Sequence, residues 1–365
     1  MLPPILRQVI STGNRMRIIL LLFIFLVAML ALFLAWVFWP SNPAVFGKEN
    51  VPLASLDEKV NRLADSIYTF QLEGSEEELA ATLMEFRSDS AASRAMLYVH
   101  GFGDYFFHPH LAEWFLERNI DFYALDLRRY GRSLRPGSPP CFTDSVAAYY
   151  EEIQQALTQM EGSGYNRIGL LGHSTGGLIS SLYAAEGPGR DKLDALILNS
   201  PFFQFNSPAW MVPVGSWIGS INPKKILRGP GNPAYSYSIH ADYFGEWDYN
   251  KHWKPLEGFP VFAGWIHAMH EAQEKIRKGV ELDMPVLVMH SDSSYFFEEG
   301  PDYVPSMQRK DAVLNVKHIH KRATRLGSRV DIRTIEGAMH DVFLSAPQVR
   351  EEAFREMEDW LEKNF

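Results

Sequence analysis

Cysteine is almost absent from this chain. Cys141 is the only one in 365 residues, so no intrachain disulfide can form. Its setting, the turn-rich "PGSPPCF", argues against a thiol nucleophile. Basic charge is not in excess. Lys plus Arg number 35 against 44 Asp plus Glu, a net charge of −9, which excludes the electrostatic footprint of a nucleic-acid binder. No N-x-[ST] sequon, internal repeat or low-complexity tract occurs. His267 and His270 are three apart and His318 and His320 two apart, but neither pair has a cysteine or a clear acidic set beside it. They read as core or solvated histidines. No metal and no organic cofactor is expected.

Acidic residues are missing from the first 48 positions. Arg7, Arg15 and Arg17 stand there, ahead of a run over residues 18–39 with no charged side chain. At 1.5 Å per residue a helix over that run spans roughly 33 Å, against about 30 Å of bilayer hydrocarbon. Trp36 and Trp39 fall at one end, where indoles favour the headgroup layer, and Pro40 stops the helix. The run is longer than a signal-peptide core and no A-x-A site follows it. We read 18–39 as an uncleaved transmembrane signal anchor. The arginines keep residues 1–17 cytoplasmic. Residues 40–64 then form a linker, and 65–365 a folded domain in a periplasm or other extracytoplasmic space.

Past the linker, short apolar runs alternate with longer amphipathic segments. The runs are residues 96–100, 122–126, 168–173, 195–199 and 285–290, with a weaker alternating one at 330–335. Continuous short runs suit strands covered on both faces. Helical spacing of apolar residues appears in 143–160 and near the C-terminus, at Val349, Phe354, Met357 and Leu361. The alternation predicts an α/β fold, a mostly parallel sheet with helices on both faces. It breaks between about 204 and 282, a stretch rich in Trp, Tyr, Pro and Gly that we read as an inserted cap. A second irregular insert covers 293–310.

One motif carries chemistry. "GLLGHSTGG", residues 169–177, puts Ser174 between Gly172 and Gly176 at the end of an apolar run and the start of a helical one. That is the pattern of a nucleophile elbow. The tight turn needs small neighbours, and it aims both the serine hydroxyl and the Thr175 N–H at the sheet's C-terminal edge. A serine hydroxyl needs a base and an orienting carboxylate. Downstream, His340 in "IEGAMHDVF" follows the last run and precedes the final helix, so it is the expected base. For the acid, Asp292 in "HSDSS" and Asp311 in "KDAVL" compete, and Asp311 also fits the N-cap of the next helix. "HGFG", residues 100–103, supplies the Phe102 N–H as second oxyanion donor. His100 reads as a structural hydrogen-bonder. Asp126, Arg128, Gly131 and Ser133 read as a loop-shaping network.

Together, "HGFGDYF", "FYALDLRRYGRS", "GLLGHSTGGL", "LILNSP", "PVLVMHSD", "DAVLNV" and "EGAMH" resemble the monoacylglycerol lipase and lysophospholipase-like branch of the α/β-hydrolases, the serine-aminopeptidase-like hydrolases. The match covers roughly residues 65–365. It implies an α/β-hydrolase fold and a triad of Ser174, Asp311 and His340, since the family's acid lies in a pattern like H-G-x-x-D-x-V-V. Here that pattern is split between "HSDSS" and "KDAVL". The resemblance implies an esterase acting on a lipid or small-molecule ester, with monoacyl lipids expected. An aminopeptidase or acyltransferase on the same triad is the alternative. A non-catalytic anchored scaffold, binding lipid or a partner, is the reading from another class.

Overall fold

A computed structural model describes residues 4–41, 58–73, 79–296 and 303–365. Residues 42–57 of the expected linker and 297–302 of the second insert lie outside the described residues. The chain divides into two units, Met1–Asn42 and Pro43–Phe365.

The first unit is one helix, α1 (Pro4–Phe38). Its apolar portion, Arg17–Phe38, has a mean hydropathy of 3.3 and the length to cross a bilayer. The helix starts upstream of the apolar run. It ends two residues before Pro40, whose ring disfavours helical geometry in the residue ahead of it.

The second unit opens with α2 (Glu58–Leu63), then an antiparallel pair, β1 (Ser66–Gln71) and β2 (Ala80–Phe86). It continues through β3 (Arg94–Val99), α3 (Pro109–Leu116), β4 (Ile120–Asp126), α4 (Tyr150–Glu161), β5 (Arg167–His173), α5 (Thr175–Glu186) and β6 (Ala195–Asn199). An insertion then supplies α6 (Met211–Ile221), β7 (Ile226–Arg228), α7 (Ala234–Ile239), β8 (Val261–Phe262) and α8 (Ala263–Lys278). The unit closes with β9 (Val286–Ser291), α9 (Val316–Ala323), β10 (Val330–Ile335) and α10 (Pro347–Asn364).

Eight strands form one sheet in the order β1-β2-β4-β3-β5-β6-β9-β10. All neighbours from β4 to β10 are parallel; β1 and β2 run antiparallel at one edge. Side chains alternate between faces. Leu97, Val99 and Leu170 join a core with Ile153 of α4, Leu178 and Leu182 of α5 and Met269 of α8. Met96, Tyr98 and Leu171 point to the opposite core, with Phe115 of α3 and Met357 and Trp360 of α10. Both faces are covered, which is why the strands read as unbroken apolar runs.

The chain order changes direction at β3. It passes from β3 to β4 on one side, then returns to place β5 on the other. Ligands of open α/β sheets bind at such a switch, outside the C-terminal strand ends. Here that crevice brings the loop after β3, residues 100–104, against the turn after β5. A Cβ added at Gly101 would lie 3.1 Å from Ser174 Cβ.

Candidate active site

Ser174 joins β5 to α5 with φ 51° and ψ −115°, a backbone state that a residue with a Cβ holds only under constraint. The constraints are visible. Its N–H donates to Asn199 O at 2.9 Å, and its carbonyl accepts from Phe202 N–H at 2.9 Å and Leu178 N–H at 3.2 Å. The flanking glycines are obligatory on steric grounds. A Cβ on Gly172 would meet Gly176 O at 2.6 Å, and one on Gly176 would meet the carbonyls of Val99 and His100 at 2.3 Å.

His340 follows β10 on the loop before α10. Its Nδ1 lies 2.9 Å from Asp311 Oδ2, and both residues are buried. Of the two competing carboxylates, Asp311 is the one that faces the imidazole. Asp292 is exposed, and its Oδ1 accepts the Gly337 N–H at 2.9 Å. The split sequence pattern is rejoined in space. Ser294 and Asp311 form a parallel bridge, with Asp311 N–H donating to Ser293 O at 2.9 Å and Tyr295 N–H donating to Asp311 O at 2.7 Å. Asp311 does not cap α9; Asn315 does. Its Oδ1 instead accepts the N–H groups of Val313 and Leu314, at 2.8 and 2.6 Å, which leaves Oδ2 for the histidine.

Among the described residues, no hydrogen bond links Ser174 Oγ to His340. Nor does any protein acceptor take the N–H of Phe102 or of Thr175. Catalytic hydrogen bonds commonly tighten only once substrate is bound. The His340 ring sits 4.9 Å from His173, the residue before Ser174, and 6.0 Å from Tyr235 of the insertion. In the loop after β3, the Phe102 ring lies 4.5 Å from Trp265, which stacks on Phe202 at 5.8 Å.

Residues 90–346 match the family model described as serine aminopeptidase, S33. The chain belongs to that family. It is a serine hydrolase with the α/β-hydrolase fold. It is 26% identical over 288 residues to a human (lyso)-N-acylphosphatidylethanolamine lipase, covering 70% of this chain and 76% of the relative. A mouse protein of the same name is equally similar, also at 26%. Among solved structures, a soluble variant of monoglyceride lipase from Saccharomyces cerevisiae superposes with a TM-score of 0.61 at 17% identity, over 82% of this chain and 96% of that one. The monoacylglycerol lipase of Paleococcus ferrophilus gives 0.60 at 21% identity, over 78% and 99%. At these identities the two structures share the fold.

This S33 hydrolase carries a buried polar network that sequence reasoning missed. Asp341, next to His340, accepts from His108 Nε2 at 3.1 Å, Asn199 Nδ2 at 2.7 Å and its own turn's Phe343 N–H at 3.0 Å. Asn199 returns a bond by accepting the Val342 N–H at 3.2 Å. Burial works against the charge, yet the nearby His173 ring and the His108 and Asn199 donors hold the Asp341 carboxyl well below the usual range. His173 lies in the same cluster and bonds Asn199 O through Nδ1 at 3.2 Å. Burial pushes its pKa down to about 4, so the ring is neutral at pH 7. The one available signal was the acid directly after the candidate base in "MHDVF".

His100 spends both ring nitrogens on backbone: Nδ1 meets Gly101 O at 2.8 Å, and Nε2 accepts the Leu127 N–H at 3.0 Å. Asp126 does shape a loop, but its guanidinium partner is Arg132, at 2.9 Å, rather than Arg128, which pairs with Glu151 and Glu152. His267 bonds Ser216, and His318 lies 3.3 Å from the Gln204 amide. A cavity of about 700 Å³ opens beside Met339 and Leu344, but Ser174, Phe102 and Thr175 are not in its lining.

Proposed function

We propose that this chain is a membrane-anchored serine hydrolase that cleaves carboxylic esters of monoacyl lipids, a monoacylglycerol or a lysophospholipid, through an acyl-enzyme on Ser174. One observation carries the reading. A serine held at φ 51° stands at the sheet's switch point, and the His340 imidazole, 4.9 Å from the ring of the adjacent His173, is held 2.9 Å from a buried carboxylate.

In this reading His340 takes the Ser174 proton as the hydroxyl attacks the ester carbonyl. Asp311 keeps the Nδ1–H tautomer and stabilises the imidazolium. The N–H groups of Phe102 and Thr175 receive the oxyanion, each contributing about 3 kcal/mol to the transition state. The imidazolium then protonates the leaving alcohol. Water, activated by the same imidazole, releases the fatty acid.

Two features support a lipid substrate. The aromatic side chains of Phe102, Phe202, Phe205 and Trp265 form a contiguous apolar wall at the oxyanion loop. The similar proteins are named for monoglyceride and (lyso)-N-acylphosphatidylethanolamine lipase activity. Helix α1 would keep the enzyme at the bilayer where such esters reside, with residues 1–17 cytoplasmic and the hydrolase unit outside. We assign the stretch 204–282 as the cap of that unit.

The family's name favours one other reading, an aminopeptidase. Fluorophosphonate labelling of detergent-solubilised full-length protein, followed by competition among a lysophospholipid, a monoacylglycerol, a short ester and an amino-acid amide, separates the two. The expected result is labelling that Ser174→Ala abolishes and hydrolysis fastest on the monoacyl lipids. Preferred cleavage of the amide makes it a peptidase. No labelling of folded protein leaves the scaffold reading.

A further inference from the structure

The oxyanion loop of this enzyme is held by a buried charge that comes from the insertion. Asp104 lies two residues beyond Phe102, and Lys254 lies in the segment between α7 and β8. Lys254 Nζ donates to Asp104 Oδ1 at 2.7 Å, and the same oxygen accepts the Tyr105 N–H at 3.0 Å. The two residues are only 9% and 4% exposed. Lysine is rarely buried to that degree unless paired, because its ammonium loses its hydration. The site compensates. The ammonium also faces the rings of Phe107 and Tyr249, at 5.4 and 5.6 Å.

The rest of the segment reinforces the contact. The Asn250 N–H donates to Tyr105 Oη at 2.7 Å, and Trp253 meets the Tyr105 ring edge-on at 5.3 Å. Lys254 is itself tied back by its N–H to Asn250 O at 2.9 Å. Meanwhile the ends of the loop are fixed by the sheet side of the molecule. His100 bonds Gly101 O, and Phe106 N–H donates to Asp126 Oδ1 at 2.9 Å. Between those ends lie Phe102 and Gly103, the latter at φ +60°. A glycine in that conformation leaves the loop free to pivot unless its neighbours are held.

We propose that Lys254 is a positioning residue: through the Asp104 carboxylate it holds residues 102–105 so that the Phe102 N–H points at the reacting carbonyl. The inference rests on the assignment of that N–H to the oxyanion. Oxyanion-hole geometry then depends on the docking of Asn250, Trp253 and Lys254. A neutral side chain at 254 frees Asp104 to turn towards water, and the loop turns with it. A displacement of about 1 Å costs on the order of a hundredfold in rate.

The test uses full-length protein in detergent, with Ser174 titrated by fluorophosphonate so that kcat is counted per reactive serine. Lys254→Met should lower kcat per site about tenfold or more while KM stays within about twofold. Lys254→Arg, which keeps the charge, should recover most of the loss. Lys254→Met can fail to fold because it strands a buried carboxylate. The pair Lys254→Met with Asp104→Asn removes that charge, and should regain the melting temperature without regaining kcat. Lys251→Met, in the same segment but exposed and paired with Asp242, should leave kcat unchanged. An unchanged kcat per site in Lys254→Met, or full recovery in the double variant, overturns the proposal and leaves the hydrolase reading intact. A wild-type protein that neither labels nor turns over removes both.

Discussion

Asp341 and His108 are 233 residues apart and bonded at 3.1 Å, joining the loop that carries His340 to the segment before α3. The carboxylate gathers donors from three places: the end of β6, the segment before α3 and its own 3₁₀ turn. Removing it strands all three in a site without water access. Asp341→Ala should therefore cost about 3–5 kcal/mol of stability, since each stranded buried donor costs about 1–3 kcal/mol. Asp341→Asn, which keeps the shape, should cost less. Thermal melts of both variants check this, and equal losses would show that the charge is not what matters.

The two carboxylates after β9 have different surroundings, so their substitutions should separate cleanly. Asp311 faces His340 Nδ1, and Asp292 faces a backbone N–H at the surface. Asp311→Asn would favour the wrong imidazole tautomer and should lower kcat by about 10⁴. Asp292→Asn should change it by no more than about threefold, since it keeps an acceptor for Gly337. Steady-state ester hydrolysis on the two variants reads the difference. A comparable loss in both would move the acid away from Asp311.

Gly176 packs α5 against the end of β3 so closely that a methyl group has no room. Its Cβ would sit 2.3 Å from two backbone carbonyls, which cannot swing aside as a flexible side chain would. Gly176→Ala should destabilise the protein by about 3 kcal/mol and reduce labelling of Ser174. Gly164→Ala, at φ +75° but with nothing within 4 Å, provides the contrast of strain without overlap. If Gly176→Ala melts within a degree or two of wild type, the packing described here is wrong.

What the sequence disclosed follows from distance along the chain. All six apolar runs are strands of the sheet, and the elbow lies where a run of small residues meets a helix start. These are local patterns. The antiparallel strands β1 and β2 escaped because β1 is half exposed and β2 carries Thr82 and Glu85 at buried positions. Glu85 is tolerated there because Tyr68 and Tyr123 hydroxyls donate to it, at 2.7 and 2.9 Å. The choice between Asp292 and Asp311 was not open to residue reasoning, since both leave the same strand and only their placement distinguishes them. The Asp341 network and the Lys254–Asp104 pair join residues up to 233 positions apart, beyond any periodicity.

Helix α1 gives a direct prediction about where the protein resides. Its 22-residue apolar portion is long enough to span and carries no charge after Arg17. Full-length protein should stay in the membrane pellet through alkaline carbonate. Tag accessibility at the two ends, before and after permeabilisation, should show the N-terminus inside and the C-terminus outside. Carbonate release, or cleavage after residue 39, would replace the anchor with a processed leader.

Acid should loosen the site before it unfolds the sheet. His173 is buried beside Ser174 and its pKa lies near 4, against about 6.5 in an unfolded chain. On acidification the unfolded chain binds the proton first. The stability that a neutral His173 permits is thus present above pH 6.5 and is lost as pH falls towards 4. The difference of about 2.5 units corresponds to roughly 3 kcal/mol. His110, held at about 3 by burial, with His108 adding to the shift, acts in the same direction. Melting temperature measured from pH 7.5 to 4.5 should fall steadily, and His173→Gln should flatten part of that slope whatever its stability at neutral pH. The protonated ring would also face His340 at 4.9 Å, so activity should decline over the same interval. A slope identical in wild type and His173→Gln would assign the acid sensitivity to other groups.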